Sequence, residues 1–135
     1  MEPKELEITD DIKVIYVKAE TFPEGITAAF DKLETITGLK NRHVYGITEC
    51  TGEKLAYMAC VKEEFDGEAG QLGLPVYEIP KGKYFYYTLK NWRENIDQIP
   101  QLFAQFDKMS GIKKQTICLE DYIGDDEMLV MVQQA

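Results

Sequence analysis

Residues 26–40 read ITAAFDKLETITGLK, and residues 99–113 read IPQLFAQFDKMSGIK. At an offset of 73, Ile26, Ala29, Phe30, Leu33 and Ile36 fall on Ile99, Leu102, Phe103, Phe106 and Met109. Both stripes follow i, i+3, i+4 spacing, and each predicts an amphipathic helix with one face against a sheet. Helical periodicity alone would produce that match. It would not also bring Gly38-Leu39-Lys40 onto Gly111-Ile112-Lys113, or Val44 in the following strand-like run onto Ile117. The chain therefore reads as a duplication.

Outward from the first helix, Asp11 to Ala19 is rich in β-branched residues and predicts a strand. Pro23 and Glu24 supply the fixed φ and negative charge that suit a helix's first turn, and Gly38 suits its end. His43 to Glu49 and Lys54 to Lys62 read as a hairpin turning through Cys50-Thr51-Gly52-Glu53. Glu63 to Gly73, acidic and glycine-rich without apolar periodicity, reads as a surface connection. Leu74 to Ile79 and Tyr84 to Leu89 read as extended, punctuated by Pro80-Lys81-Gly82. Asp97 is expected to cap the second helix, with Pro100 tolerated in its first turn and the end placed before Gly111. Gln115 to Ile123 and Met128 to Gln133 form a last hairpin through Gly124-Asp125-Asp126. Strand, helix, strand, strand thus occurs twice, in pseudo-repeats of about 11–62 and 74–133 within a single domain over residues 1–135. The expected fold is α+β: duplicated β-α-β-β halves in a mostly antiparallel sheet, both helices on one face, and a cleft at the junction.

The 135 residues suit one hydrophobic core. Fifteen Lys and Arg against 24 Asp and Glu give a net charge of −9, so phosphate attraction becomes repulsion and no direct nucleic-acid binding is expected. No apolar run approaches the ~20 residues of a membrane helix. Met1-Glu2-Pro3-Lys4-Glu5 lacks the basic and apolar regions of a signal peptide, so the expectation is a cytoplasmic protein without membrane contact. Cys50, Cys60 and Cys118, odd in number and without a Cys-x-x-Cys pair, read as buried free thiols.

The same offset exposes one departure from apolar character: Ile47 falls on Glu120. Strand alternation places Cys118, Glu120 and Tyr122 on one face. A carboxylate buried there would need a cation, a hydrogen-bond donor or a proton; a solvated strand carboxylate is the alternative. Aromatic residues crowd the strands, among them Tyr84-Phe85-Tyr86-Tyr87, which must face both sides, and Trp92 follows nearby. Most belong in a core, yet tyrosine and tryptophan faces near acidic charge also favour organic cations. His43 is the only histidine and has no Cys or His neighbour. Neither a zinc cage nor a catalytic triad assembles around it, and phosphate loops, nucleophile elbows and dinucleotide fingerprints are absent. No metal, cofactor or catalytic residue is expected.

Tyr77-Glu78-Ile79-Pro80-Lys81-Gly82-Lys83-Tyr84, then a helix, then Leu119-Glu120-Asp121-Tyr122, resembles the GyrI-like effector-binding domain family across nearly the whole chain. That family includes ligand-sensing domains of multidrug-responsive transcription regulators, stand-alone relatives of a DNA gyrase inhibitor, and hydrolases of strained-ring compounds. The resemblance implies a stand-alone protein capturing an amphipathic cation in an aromatic pocket. It puts Glu120 and Tyr122 at the Glu-x-Tyr motif and Tyr84 in the Pro-x-Gly-x-Tyr segment, and Trp92, in the irregular stretch before the second helix, is a fourth candidate. About ten residues precede the first expected strand, too few for a helix-turn-helix. The alternatives are a hydrolase in which Glu120 activates water, and a protein partner, with the chain an acidic inhibitor of a topoisomerase such as DNA gyrase.

Overall fold

The computed structural model describes residues 3–22, 24–51, 54–112 and 117–135. Eight strands are formed: β1 (Lys4–Ile8), β2 (Ile12–Lys18), β3 (Val44–Thr51), β4 (Lys54–Lys62), β5 (Val76–Ile79), β6 (Gly82–Lys90), β7 (Ile117–Tyr122) and β8 (Glu127–Gln133). The helices are α1 (Ile26–Thr37), α2 (Glu68–Leu72) and α3 (Gln98–Asp107). One sheet runs in the order β1-β6-β8-β7-β3-β4-β2-β5, with every neighbour antiparallel. The fold is the expected α+β arrangement, with β2-α1-β3-β4 answered by β6-α3-β7-β8 about the central β3–β7 seam.

Each half lends one strand to the other. β1 pairs with β6, and β5 pairs with β2. Only Thr9, Asp10 and Asp11 separate β1 from β2, although the two strands stand six places apart in the sheet. Six spacings in a flat sheet would be roughly 29 Å, whereas four Cα steps reach about 14 Å. The sheet must therefore curl until its ends approach. The Lys81 amide donates to Asp11 Oδ1 at 2.7 Å, tying together the two connections that cross the gap.

Curling gives the sheet an inside and an outside, and strand alternation sorts the residues between them. Val14, Ile47, Met58, Ile79, Tyr84, Leu119 and Met131, drawn from seven strands, meet in one inner cluster. Outside, Ala29 and Leu33 of α1 pack on Ile15, Val17, Ala59 and Val61. Phe106 of α3 packs on Tyr87, Met128, Val130 and Val132. Full burial of Leu33 or Phe106 contributes on the order of 2–3 kcal/mol.

Several local expectations are corrected. The lead-in before Asp11 contains β1, whose Leu6 and Ile8 reach the inner cluster. Helix α1 begins at Ile26 with Gly25 as its N-cap; Pro23 lies outside the described residues. It does end at Gly38, whose positive φ of 72° favours glycine. Asp97 makes no side-chain capping bond. Gly52, Glu53, Gln115 and Thr116 lie outside the described residues. The acidic connection Glu63–Gly73 holds α2, pinned by Arg42, whose Nη1 and Nη2 donate to Glu68 Oε2 and Oε1, each at 2.8 Å. That pairing holds the Glu68 carboxyl below its ordinary value. Cys60 is buried and Cys118 half-buried. Among the described residues no helix is long and apolar enough to cross a membrane.

Tyr84, fully buried inside the curl, donates its hydroxyl to the Pro80 carbonyl at 2.6 Å. Tyr84→Phe strands that acceptor while keeping the ring. It should lower stability by about 1 kcal/mol, read as a lower urea midpoint with an unchanged m-value.

Candidate functional site

Helix α1 packs mainly on β2 and β4, and α3 on β8, so the β3–β7 seam runs between the helices on the outer face. Its floor is set by register: Gly46 of β3 stands opposite Glu120 of β7. Glu120 is only 9% exposed. Tyr57 of β4 donates its hydroxyl to Glu120 Oε1 at 2.7 Å, and the Tyr122 hydroxyl reaches the same oxygen at 3.4 Å. Oε2 receives no hydrogen bond, and no basic side chain forms an ion pair with Glu120, among the described residues.

The strands place these groups by simple alternation. Tyr57 shares its face of β4 with Ala59 and Val61, which lie under α1, so its ring points outward beside the seam. Gly46 clears the space in which the Tyr57–Glu120 bond forms: a Cβ there would collide with both the Tyr57 hydroxyl and Glu120 Oε1. A glycine inside a strand commonly marks such a close approach. Aromatic rings from both helical sides complete the enclosure. Phe30 of α1 meets Tyr57 and Tyr122 with ring centroids 6.1 Å away in each case. Phe22, ahead of α1, lies 6.2 Å from Tyr57. Trp92, in a single 3₁₀ turn before α3, meets Tyr122 edge-to-face at 5.0 Å.

Burial pushes the Glu120 carboxyl above its ordinary value, because ionisation there forfeits hydration; the two phenol bonds pull it partly back. Burial, followed by the neighbouring Glu120 charge, pushes the Tyr57 and Tyr122 hydroxyls up, so both remain neutral donors. The enclosure thus presents one costly negative charge within a wall of rings. A carboxyl in that setting is satisfied by a proton, by further donors or by a positive charge.

Of the residues singled out in the sequence, Glu120, Tyr122 and Trp92 are brought together and Tyr84 is not, since it faces the inside of the curl. The offset of 73 is also corrected at the seam. It pairs Ile47 with Glu120, yet Ile47 points inward with Leu119, and the residue opposite Glu120 is Gly46. Tyr57, Phe30 and Gly46 were not singled out; the strand glycine was the available signal. His43 lies away from this face, with Nε2 at 2.5 Å from Asp121 Oδ1 and its ring stacked on Tyr45.

A shallow depression of about 640 Å³ lies elsewhere, lined by the β1–β2 connection, the Lys62–Asp66 segment and Glu78. Its carboxylates are mostly solvated and Glu63 is paired with Lys13 at 3.9 Å. Hydrated charges gain little from exchanging water for a ligand. Glu120, already stripped of water, is the stronger candidate. Among the described residues no cluster of His, Cys, Asp and Glu is arranged to hold a metal ion.

No family model and no curated protein matches this sequence. Solved structures do. An integron cassette protein, VCH_CASS2, from the mobile metagenome of Vibrio cholerae superposes with a TM-score of 0.76 at 12% identity, over 100% of this chain and 97% of that one. SAV2435 bound to tetraphenylphosphonium gives 0.66 at 12% identity, over 98% and 94%. A protein assigned to bacterial transcription regulation, from Staphylococcus aureus MU50, gives 0.58 at 12% identity, over 98% and 99%. The likeness is one of fold.

The raised Glu120 carboxyl fixes a sign. A carboxyl that binds its proton more tightly when folded stabilises the protein below its unfolded pKa, and this stability is lost as pH rises through the folded value. Glu120→Gln should therefore raise the melting temperature at neutral pH. The difference should shrink towards zero below about pH 4, as followed by thermal denaturation across a pH series.

Proposed function

We propose that this chain is a small-molecule-binding protein of the GyrI-like effector-binding type, its residues 1–135 forming one domain that captures an amphipathic organic cation at the β3–β7 seam. The observation that carries this reading is the buried Glu120 carboxylate, bonded to tyrosine hydroxyls and unpaired with any cation among the described residues. Support also comes from the shared fold of SAV2435, a protein bound to tetraphenylphosphonium.

A delocalised cation suits the site on two counts. Its charge is spread over apolar surface, so it leaves water at lower cost than an ammonium of the same charge. It also gains ~0.5–2 kcal/mol from each aromatic face that it meets. Glu120 supplies the countercharge, Tyr57 holds Oε1 and Oε2 is left for the ligand. Phe30, Tyr122 and Trp92 form the walls. Phe22 and Phe30 edge the seam on the α1 side, and the sheet forms its floor.

Capture of a cation by a carboxyl of raised pKa also expels a proton, so affinity should increase with pH until Glu120 is ionised. In this reading the protein works in the cytoplasm as a sensor or sequestering agent.

The test is a thermal-shift titration with tetraphenylphosphonium and a neutral analogue, tetraphenylmethane-like in shape but made soluble by hydroxyl groups. At 100 times Kd the cation should stabilise the protein by about 2.7 kcal/mol, a shift on the order of 10 °C. The neutral compound should give much less, and Glu120→Gln should remove most of the cation's effect. Equal shifts for wild type and Glu120→Gln would refute the countercharge role.

A further inference from the structure

The α3 side of the seam carries a positive charge of its own. The Arg93 guanidinium lies over the Trp92 indole, 4.6 Å from the ring centroid. Its Nη1 donates to the Asp125 carbonyl in the β7–β8 turn, and it forms no ion pair among the described residues. Trp92 in turn meets Tyr122 edge-to-face, and the Tyr122 hydroxyl reaches Glu120. Cation, indole, phenol and carboxylate therefore form one continuous chain across the seam. The Arg93 charge is felt at the Tyr122 hydroxyl, where it opposes the upward push of burial.

A second observation concerns the same turn. Trp92 Nε1 is enclosed and has no acceptor among the described residues. Native structures seldom leave an enclosed N–H donor unmatched, so each such group calls for a physical explanation; Arg42 Nε and Gln133 Oε1 are the other such atoms among the described residues, and Trp92 Nε1 is the one beside the seam. Among the described residues Trp92 thus contributes an unanswered donor, and Arg93 a guanidinium with one of its fork of donors used. Both groups call for oxygen, preferably anionic, and the planar guanidinium matches a carboxylate or phosphate edge.

We infer that Trp92 and Arg93 form a second polar subsite, and that the ligand class is zwitterionic: an amphiphile with its cationic centre at Glu120 and an anionic oxygen at the Trp92–Arg93 end. This rests on the seam being the ligand site, and it narrows the class that the seam accepts. A dication would set its second charge against Arg93. A simple anion would meet the desolvated Glu120. A monocation satisfies one end and leaves the donors at the other unanswered, so a zwitterion alone complements both.

The experiment compares two probes that share a triphenylphosphonium head: the carboxybutyl acid, zwitterionic at neutral pH, and its methyl ester, a monocation. Both are titrated calorimetrically into the intact chain. Wild type should bind the acid about threefold to tenfold more tightly than the ester, a range set by a charge-assisted contact discounted for the exposure of Arg93. Arg93→Gln should abolish that preference. Trp92→Phe, which keeps a ring and deletes the N–H, should reduce it. Glu120→Gln should weaken both probes. An acid that binds no better than the ester, or a preference that survives in Arg93→Gln, overturns the subsite; the seam reading then still stands if Glu120→Gln weakens the ester. Failure of wild type to bind either probe overturns both.

Discussion

Three residues between β1 and β2, and two between β5 and β6, must cross from one end of an eight-stranded sheet to the other. The resulting curl determines the rest of the architecture. It closes Val14, Ile79 and Tyr84, from strands near opposite ends of the sheet, into one inner core. Both helices are left to cover the outside. Because each helix packs over its own half, the middle of the sheet is the line between them. The seam is therefore a consequence of chain connectivity, and a site there needs no added element.

What makes this line chemically distinctive is a break in the likeness of the halves. β3 places Gly46, with no side chain, directly opposite Glu120 of β7. Two facing carboxylates would repel in a low dielectric, and two apolar residues would leave nothing to neutralise. A glycine opposite a glutamate gives a single charge and the space for Tyr57 to hold it. The bond is short and points to one oxygen, so it fixes the carboxylate without saturating it. This arrangement costs stability, since a buried carboxyl either ionises at a penalty or retains a proton. Groups perturbed in this way are enriched at functional sites.

The sequence made legible those features that follow from local pattern. Amphipathic stripes fixed α1 and α3, because an apolar face must pack on something, and strand alternation put Glu120 and Tyr122 on one face. Nonlocal features were hidden. Lys4-Glu5-Leu6-Glu7-Ile8 is charge-rich and falls before the first expected strand, but as an edge strand it needs only one apolar face, and Leu6 and Ile8 supply it. Helix α2 is five residues long and is held by Arg42 from 26 positions away, a partnership that periodicity does not record. Tyr84 resembled a pocket residue by motif, yet its face is decided by the curl. The register slipped by a single residue at β3, enough to exchange the inward Ile47 for the outward Gly46.

The two helical sides contribute unequally to the seam, and this asymmetry gives it direction. The α1 side offers the apolar rings of Phe22 and Phe30, whereas the α3 side offers Trp92 with an enclosed N–H and the Arg93 charge above it. An overall charge of −9 favours any cation in the long range but is screened beyond about 10 Å. Selection must therefore come from nearby groups, and those lie in a row: carboxylate, phenol, indole, guanidinium. Under the proposed reading, a molecule lying along that row would be oriented by opposite charges at its two ends, with the rings between them setting its apolar width. The duplicated scaffold supplies the row's position, and the departures from duplication supply its polarity.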